Sequence, residues 1–204
     1  LPGGDGLQYG VALGDRRSRI AGGLEDESVI AFAAASAVPL AQLGRAAEAA
    51  GRSGRAAALM RAAEALHDGD DLDDVLRKLC VEAAAGLGVE RAVVWRGGTL
   101  EGLTAAASAG FPADVRGWRL GPGEGVAGQV SERGAAMVAA DDIGRPGSGR
   151  PFGDVRAAVA VPLAWNGETR GVLAAYDSRP ERLAPDAVPV LEAFGKLVGV
   201  AMRH

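Results

Sequence analysis

Gly123, Gly125 and Gly128 stand in the Gly-x-Gly-x-x-Gly spacing of a dinucleotide-binding loop, inside GPGEGVAGQV (121–130). Glycines at that spacing let a backbone turn tightly and approach a pyrophosphate at a helix N-terminus. Asp141 follows Gly128 by thirteen residues, after the apolar run MVAA, where an acid could hold a ribose. The surrounding sequence argues against that chemistry. The residues before the glycines, GWRL, are short and polar where a buried parallel strand is required. The helix after them has room for about eight residues, thin for a crossover. The acid comes too early against the roughly 20 residues of the dinucleotide pattern. The glycines therefore read as a turn into a short helix, Gly125–Arg133, with Gly128 and Gly134 allowing close packing and a stop.

Nucleophilic and metal chemistry find little support. The two histidines are His67, at the end of a helical stretch, and His204, at the last position. Neither falls in the expected core, and no Ser or Cys stands beside a base in a catalytic pattern. The single cysteine, Cys80, excludes an internal disulfide and a multi-cysteine metal site. It lies mid-helix near an apolar stripe, which reads as a buried structural thiol.

Composition sets the class. The 204 residues are 48% hydrophobic and 24% charged, a globular mixture with room for one sizeable core, or for one domain plus a helical extension. A net charge of -4 argues against a general nucleic-acid surface. No apolar run approaches the roughly 20 residues that span a bilayer. The stretch LPGGDGLQYG has neither region of a signal peptide, so a cytoplasmic compartment is expected.

The elements that would position a site follow from periodicity. Residues 1–23 hold one strand candidate, Leu7–Leu13; residues 25–66 are helical in composition, with a kink expected at Pro39 and weak points at Gly51 and Gly54. The narrow apolar stripe of that long helix is of the kind that meets a partner helix. Asp70 or Asp71 caps the next helix, whose buried face is Leu72, Val75, Leu76, Leu79, Ala83 and Leu87, and which Gly86 and Gly88 stop. RAVVWRGGTLEGLTAAAS reads as two strands joined at Gly97-Gly98, and a short strand is expected at Ala136–Ala139. AAVAVPLAW and ETRGVLAAY flank Asn166-Gly167, a type I′ hairpin signature. A final helix follows, with Pro185 in its first turn and Leu191, Phe194, Leu197, Val198 and Ala201 as its stripe. Strands joined by hairpins, with helices at both ends, predict an α+β domain: an antiparallel sheet with helices on one face and an N-terminal helical extension.

GPGEGVAGQVSERGAAMVAADD resembles the central segment of GAF domains, and RAAVAVPLAWNGETRGVLAAY resembles their hairpin, with Val-Pro-Leu in one strand and Gly-Val-Leu opening the next. The flanking helices fall where the family places them. The resemblance covers residues 68–204, which divides the chain into an N-terminal strand and helix (1–44), a linker helix (45–67) and a GAF-like sensor domain. Residues 1–44 also resemble the C-terminal part of the chain, YGVALGD against RGVLAAYD, as the remnant of an upstream copy would. His204 follows the last stripe without a stop signal, which suggests truncation.

The resemblance implies a pocket on the sheet face opposite the helices, under the short helix and the long loop. Its apolar lining would be Phe111, Trp118, Val126, Val130, Met137 and Phe152, and its polar anchors Gln129, Asp141, Asp142 and Arg150. Core packing is the competing reading of the aromatics, and solvation that of the loop carboxylates. No cofactor is expected: there is no axial histidine for haem, no cysteine in the bilin-bearing elements, and no Asn-Lys pair of the cyclic-nucleotide binders. Family members that reduce free methionine sulfoxide use several cysteines, and this chain has one. The expected function is a non-catalytic, small-molecule-sensing module of a bacterial signalling or transcription-regulatory protein, passing its signal through terminal helices in a homodimer. A structural dimerisation module with a vestigial pocket is the alternative. No direct contact with nucleic acid or membrane is expected.

Overall fold

Asn166 and Gly167 both adopt left-handed backbone, with φ 56° and 78°, as a type I′ turn requires. They join β5 (Ala157–Trp165) to β6 (Glu168–Asp177), and the pairing runs from Trp165 opposite Glu168 to Ala157 opposite Asp177. The computed structural model describes residues 48–67, 71–140 and 152–203. The chain divides into two units, Leu1–Arg52 and Ser53–His204. Of the first, residues 48–52 are described and are helical. The strand at Leu7–Leu13, the kink at Pro39 and the upstream-copy reading of residues 1–44 lie outside the described residues.

The second unit opens with helical residues 53–64 (α1) and continues with α2 (Leu72–Leu87). Then come β1 (Arg91–Gly98), β2 (Gly102–Ala109), β3 (Arg119–Leu120), α3 (Gly125–Arg133) and β4 (Met137–Ala140). After β5 and β6 a 3-10 turn leads to α4 (Ala187–Ala201). The six strands form one antiparallel sheet in the order β3-β2-β1-β6-β5-β4. The α+β expectation holds: α1, α2 and α4 cover one face, and α3 lies on the other.

Strand alternation divides the core in two. Ala92 and Val94 of β1, Val159 and Val161 of β5, and Leu173 and Ala175 of β6 face the helices. Their neighbours Val93, Trp95, Ala158, Ala160, Val172 and Tyr176 face the opposite way. Successive side chains point to opposite faces, so a strand covered on both sides reads as an unbroken apolar run. On the helical side Leu76, Leu79, Leu191, Phe194 and Val198 are fully buried, with Ala58 and Ala62 of α1 beneath them.

Asp71 caps α2 by accepting from the backbone N–H of Asp74 at 2.9 Å. Gly88 ends it in left-handed backbone (φ 66°). Four expectations need correction. Gly86 does not stop α2 but lies inside it, where a Cβ would come within 2.8 Å of the Phe194 ring. The β1–β2 turn is at residues 99–101, not at Gly97-Gly98: Gly97 pairs with Leu103 and Gly98 with Gly102. Gly97 is needed because a Cβ there would sit 2.2 Å from the Gly102 carbonyl oxygen, a close backbone approach rather than a turn. The short strand lies one residue later than expected, at Met137–Ala140, because its partner β5 begins pairing at Ala157 opposite Ala140. Pro185 precedes α4; the proline of its first turn is Pro189, where an intrahelical N–H partner is lacking in any case. The two-residue β3, pairing Leu103 with Leu120, was not expected from GWRL.

These contacts set two opposite outcomes. Gly86→Ala forces a methyl against the buried Phe194 ring and should lower stability by about 1–3 kcal/mol. Gly54→Ala, in the exposed interior of a helix with nothing within 4 Å, should raise it by about 0.5–1 kcal/mol. Urea unfolding midpoints of the two variants check both signs.

Candidate functional site

The glycine-rich turn serves the fold. Gly123 and Gly125 take φ 66° and 65°, and the Glu124 carboxylate accepts from the backbone N–H of Gly121 at 2.8 Å. Gly128 packs against the turn itself, since a Cβ there would meet the Gly123 carbonyl carbon at 2.8 Å. The strand before the turn, β3, is antiparallel to β2. The turn thus sets α3 down on the sheet face opposite the long helices.

That placement brings the expected lining together. Val126 and Val130 of α3 are buried in the second core cluster, and Phe111, Trp118, Met137 and Phe152 pack against it half-buried. Gln129 is half-buried on α3 between Gly128 and Val130. Asp141, Asp142 and Arg150 lie outside the described residues. Among the described residues the rings pack directly against one another. Phe152 stands at the centre, with ring centroids 5.0 Å from Phe111, 5.2 Å from Tyr176, 6.2 Å from Trp95 and 6.5 Å from Trp118. The Phe111 contact is edge-to-face, an arrangement favourable beyond its area.

Three members of this site were not anticipated. Trp95 is fully buried, and its indole N–H donates to the Tyr176 hydroxyl at 3.3 Å. Burial pushes the Tyr176 phenol up, against the smaller opposing effect of that hydrogen bond. Arg91 sits on β1 directly opposite Tyr176 on β6. Its guanidinium lies 5.5 Å from the Phe111 ring centroid, a cation–π contact. It donates from both terminal nitrogens to the Asp154 carboxylate at 2.6 and 2.5 Å, a two-pronged pairing. The Arg91 side chain is 11% exposed and Asp154 59% exposed, so the cation is built in and its partner reaches it from the surface. Arg91 Nε is buried with no hydrogen-bond partner among the described residues. The run RAVVWRGG is apolar on both faces from Ala92 to Trp95, so period-2 reading could not assign Trp95 or Arg91 to a face. Tyr176 closes a similar run.

A polar rim continues beside Arg91. Asp177 is fully buried and accepts from the Arg179 backbone and guanidinium at 2.8–3.0 Å. Burial pushes the Asp177 carboxyl up, and the hydrogen bonds from Arg179 outweigh it, so the group sits below its ordinary value. The Glu90 carboxylate lies 3.6 Å from the Arg91 guanidinium and accepts from the Ser178 hydroxyl at 2.8 Å. Among the described residues no three or more His, Cys, Asp or Glu side chains cluster as a metal site, and no helix is long and apolar enough to cross a membrane.

A family model for the GAF domain matches residues 71–202. The chain belongs to the GAF domain family. Solved structures agree on the fold. The GAF domain of a phosphoenolpyruvate-protein phosphotransferase from Coxiella burnetii is similar at 19% identity and TM-score 0.64, covering 74% of this chain and 94% of its own. Free methionine-R-sulfoxide reductase from Neisseria meningitidis, solved with its substrate, is similar at 21% identity and TM-score 0.60, covering 71% and 86%. The phycoerythrobilin-bound GAF domain of a cyanobacterial phytochrome is similar at 15% identity and TM-score 0.57, covering 72% and 93%. No curated protein matches the chain.

The Arg91 hydrogen bonds hold the Asp154 carboxyl below its ordinary value, against the opposing effect of burial. Its contribution to stability is therefore present above the unfolded-state value of about 3.9 and is lost as pH falls through the lower folded value. Asp154→Asn should be less stable than the wild-type chain at pH 7, and the gap should close as pH is taken below about 4. Thermal melts of both proteins across that range measure it.

Proposed function

We propose that this chain is a non-catalytic regulatory module of a bacterial signalling protein, which binds a small molecule on the Arg91–Phe152 face and passes the result to its helical layer in a cytoplasmic homodimer. The observation that carries this reading is that one set of strands serves both layers. Alternate residues of β1, β5 and β6 line the aromatic site and support α2 and α4. A change of packing on one face has only the thickness of the sheet to cross. A ligand drives such a change only through different affinities for two states. Relatives by fold include sensory and enzymatic proteins, so catalysis has to be weighed on this chain's own residues. Cys80, the single cysteine, is fully buried on α2, and burial pushes its thiol up to about 12, a poor nucleophile at neutral pH.

A second reading, a dimerisation module with a vestigial pocket, is favoured by the close packing of the aromatic rings on Phe152. Native mass spectrometry separates the two. The sensing module is expected as a dimer that carries a releasable small molecule or changes its subunit equilibrium when one is added. A dimer indifferent to every ligand supports the second reading, and a monomer at micromolar concentration overturns both. Thiol labelling checks the non-catalytic part: Cys80 should react only when the chain is unfolded. Fast labelling of the native protein, together with turnover that Cys80→Ser abolishes, would return the chain to the enzymes.

A further inference from the structure

The filling of the aromatic site has a specific chemistry. Phe152 and Asp154 belong to one turn, closed by the Val155 N–H donating to the Phe152 carbonyl at 3.1 Å. Val155 is buried behind it, and the Arg156 N–H donates to the Asp177 carbonyl as the chain enters β5. The turn therefore presents a phenyl ring and a carboxylate as one unit. The ring enters the cage of Phe111, Trp118, Trp95 and Tyr176, and the carboxylate pairs with Arg91. The two halves of the cradle are contiguous, because Phe111 touches both the Arg91 guanidinium and the Phe152 ring.

We propose that the Phe152–Asp154 turn is an internal ligand, and that the cradle it fills takes a small aromatic carboxylate in its place. The asymmetry of the ion pair supports exchange: the cation is buried and fixed on a central strand, while its carboxylate partner is mostly exposed. Asp154 satisfies the two terminal nitrogens of Arg91 and leaves Nε without a partner among the described residues. A free carboxylate, not tethered to the turn, can instead approach side-on and pair with Nε and one terminal nitrogen. One negative charge fits better than two. Glu90 stands 3.6 Å from the same guanidinium and Asp177 is buried nearby, so the second charge of a phosphate dianion would meet repulsion. An aromatic ring fits better than an alkyl chain, because each cage ring meets Phe152 edge-on or tilted. This inference rests on the sensing reading above and names the ligand class of the same site.

Phenylacetate is the probe, with phenylacetamide as its uncharged counterpart, in calorimetric titrations of the 204-residue chain. Asp154→Ala removes the competing carboxylate and should bind phenylacetate at least tenfold more tightly than the wild type. Asp154→Asn, which keeps the turn and an acceptor, should bind it at least threefold more tightly. Phenylacetamide should bind neither, and Arg91→Met in the Asp154→Ala background should abolish binding. The wild-type chain supplies a readout that needs no variant: millimolar phenylacetate should raise its melting temperature more than phenylacetamide does. Equal melting shifts, equal affinities across the Asp154 series, or binding that survives Arg91→Met overturn the inference. Such a failure alongside a dimer that still responds to another ligand removes only the aromatic acid. Phenylacetate binding to a chain that never dimerises keeps the cradle and removes the dimer relay.

Discussion

Three central strands, β1, β6 and β5, bury side chains on both faces, and the rest of the molecule is arranged around the need to cover them. A sheet apolar on one side needs one layer of helices; this one needs two covers of different kinds. On one side α2 and α4 supply long aliphatic chains, and Phe194 reaches as far as the glycine gap at Gly86. On the other, a single nine-residue helix is too small to cover the strands, and aromatic rings from connecting segments complete the cover. The aromatic site is therefore a structural necessity before it is a functional one. Taking its rings away would leave apolar strand residues such as Val93, Ala160 and Val172 without cover.

Much of the fold was legible because local chemistry left few options. Asn166-Gly167 admitted one turn type, Asp71 stood at the right distance from the apolar stripe, and the bounds of α3 followed from the glycines on either side. What escaped was tertiary in origin. Gly86 and Gly97 look like punctuation in a sequence, yet each is small because another element approaches it, the Phe194 ring in one case and the β2 backbone in the other. The site was legible in outline only. Phe111, Trp118, Val126, Val130, Met137 and Phe152 do share one cluster, and so does Trp95, hidden in a run with no polar face to orient it. Arg91 and Asp154, 63 positions apart, carry no local mark of their pairing.

Family membership and site chemistry constrain different things. The GAF match and its distant structural relatives fix the arrangement of strands and helices, at identities too low to carry a ligand across. The polar content of this site is its own: one buried guanidinium, a tyrosine–tryptophan hydrogen bond and a carboxylate delivered by a turn. Function on such a scaffold has to be argued from those groups.

The strand order β3-β2-β1-β6-β5-β4 divides the sheet into two halves. Each outer trio is contiguous in sequence, and β1–β2 and β5–β6 are hairpins that close over short loops. Within the described sheet the halves join where β1 pairs with β6, and there Trp95 and Tyr176 meet across 81 positions of chain. Loop closure costs more there than in either hairpin, because the paired residues lie so much farther apart along the chain. Arg91 and Tyr176 face each other across that same seam. The aromatic cluster and the Arg91 cation thus draw on both halves of the sheet, and neither half holds them alone.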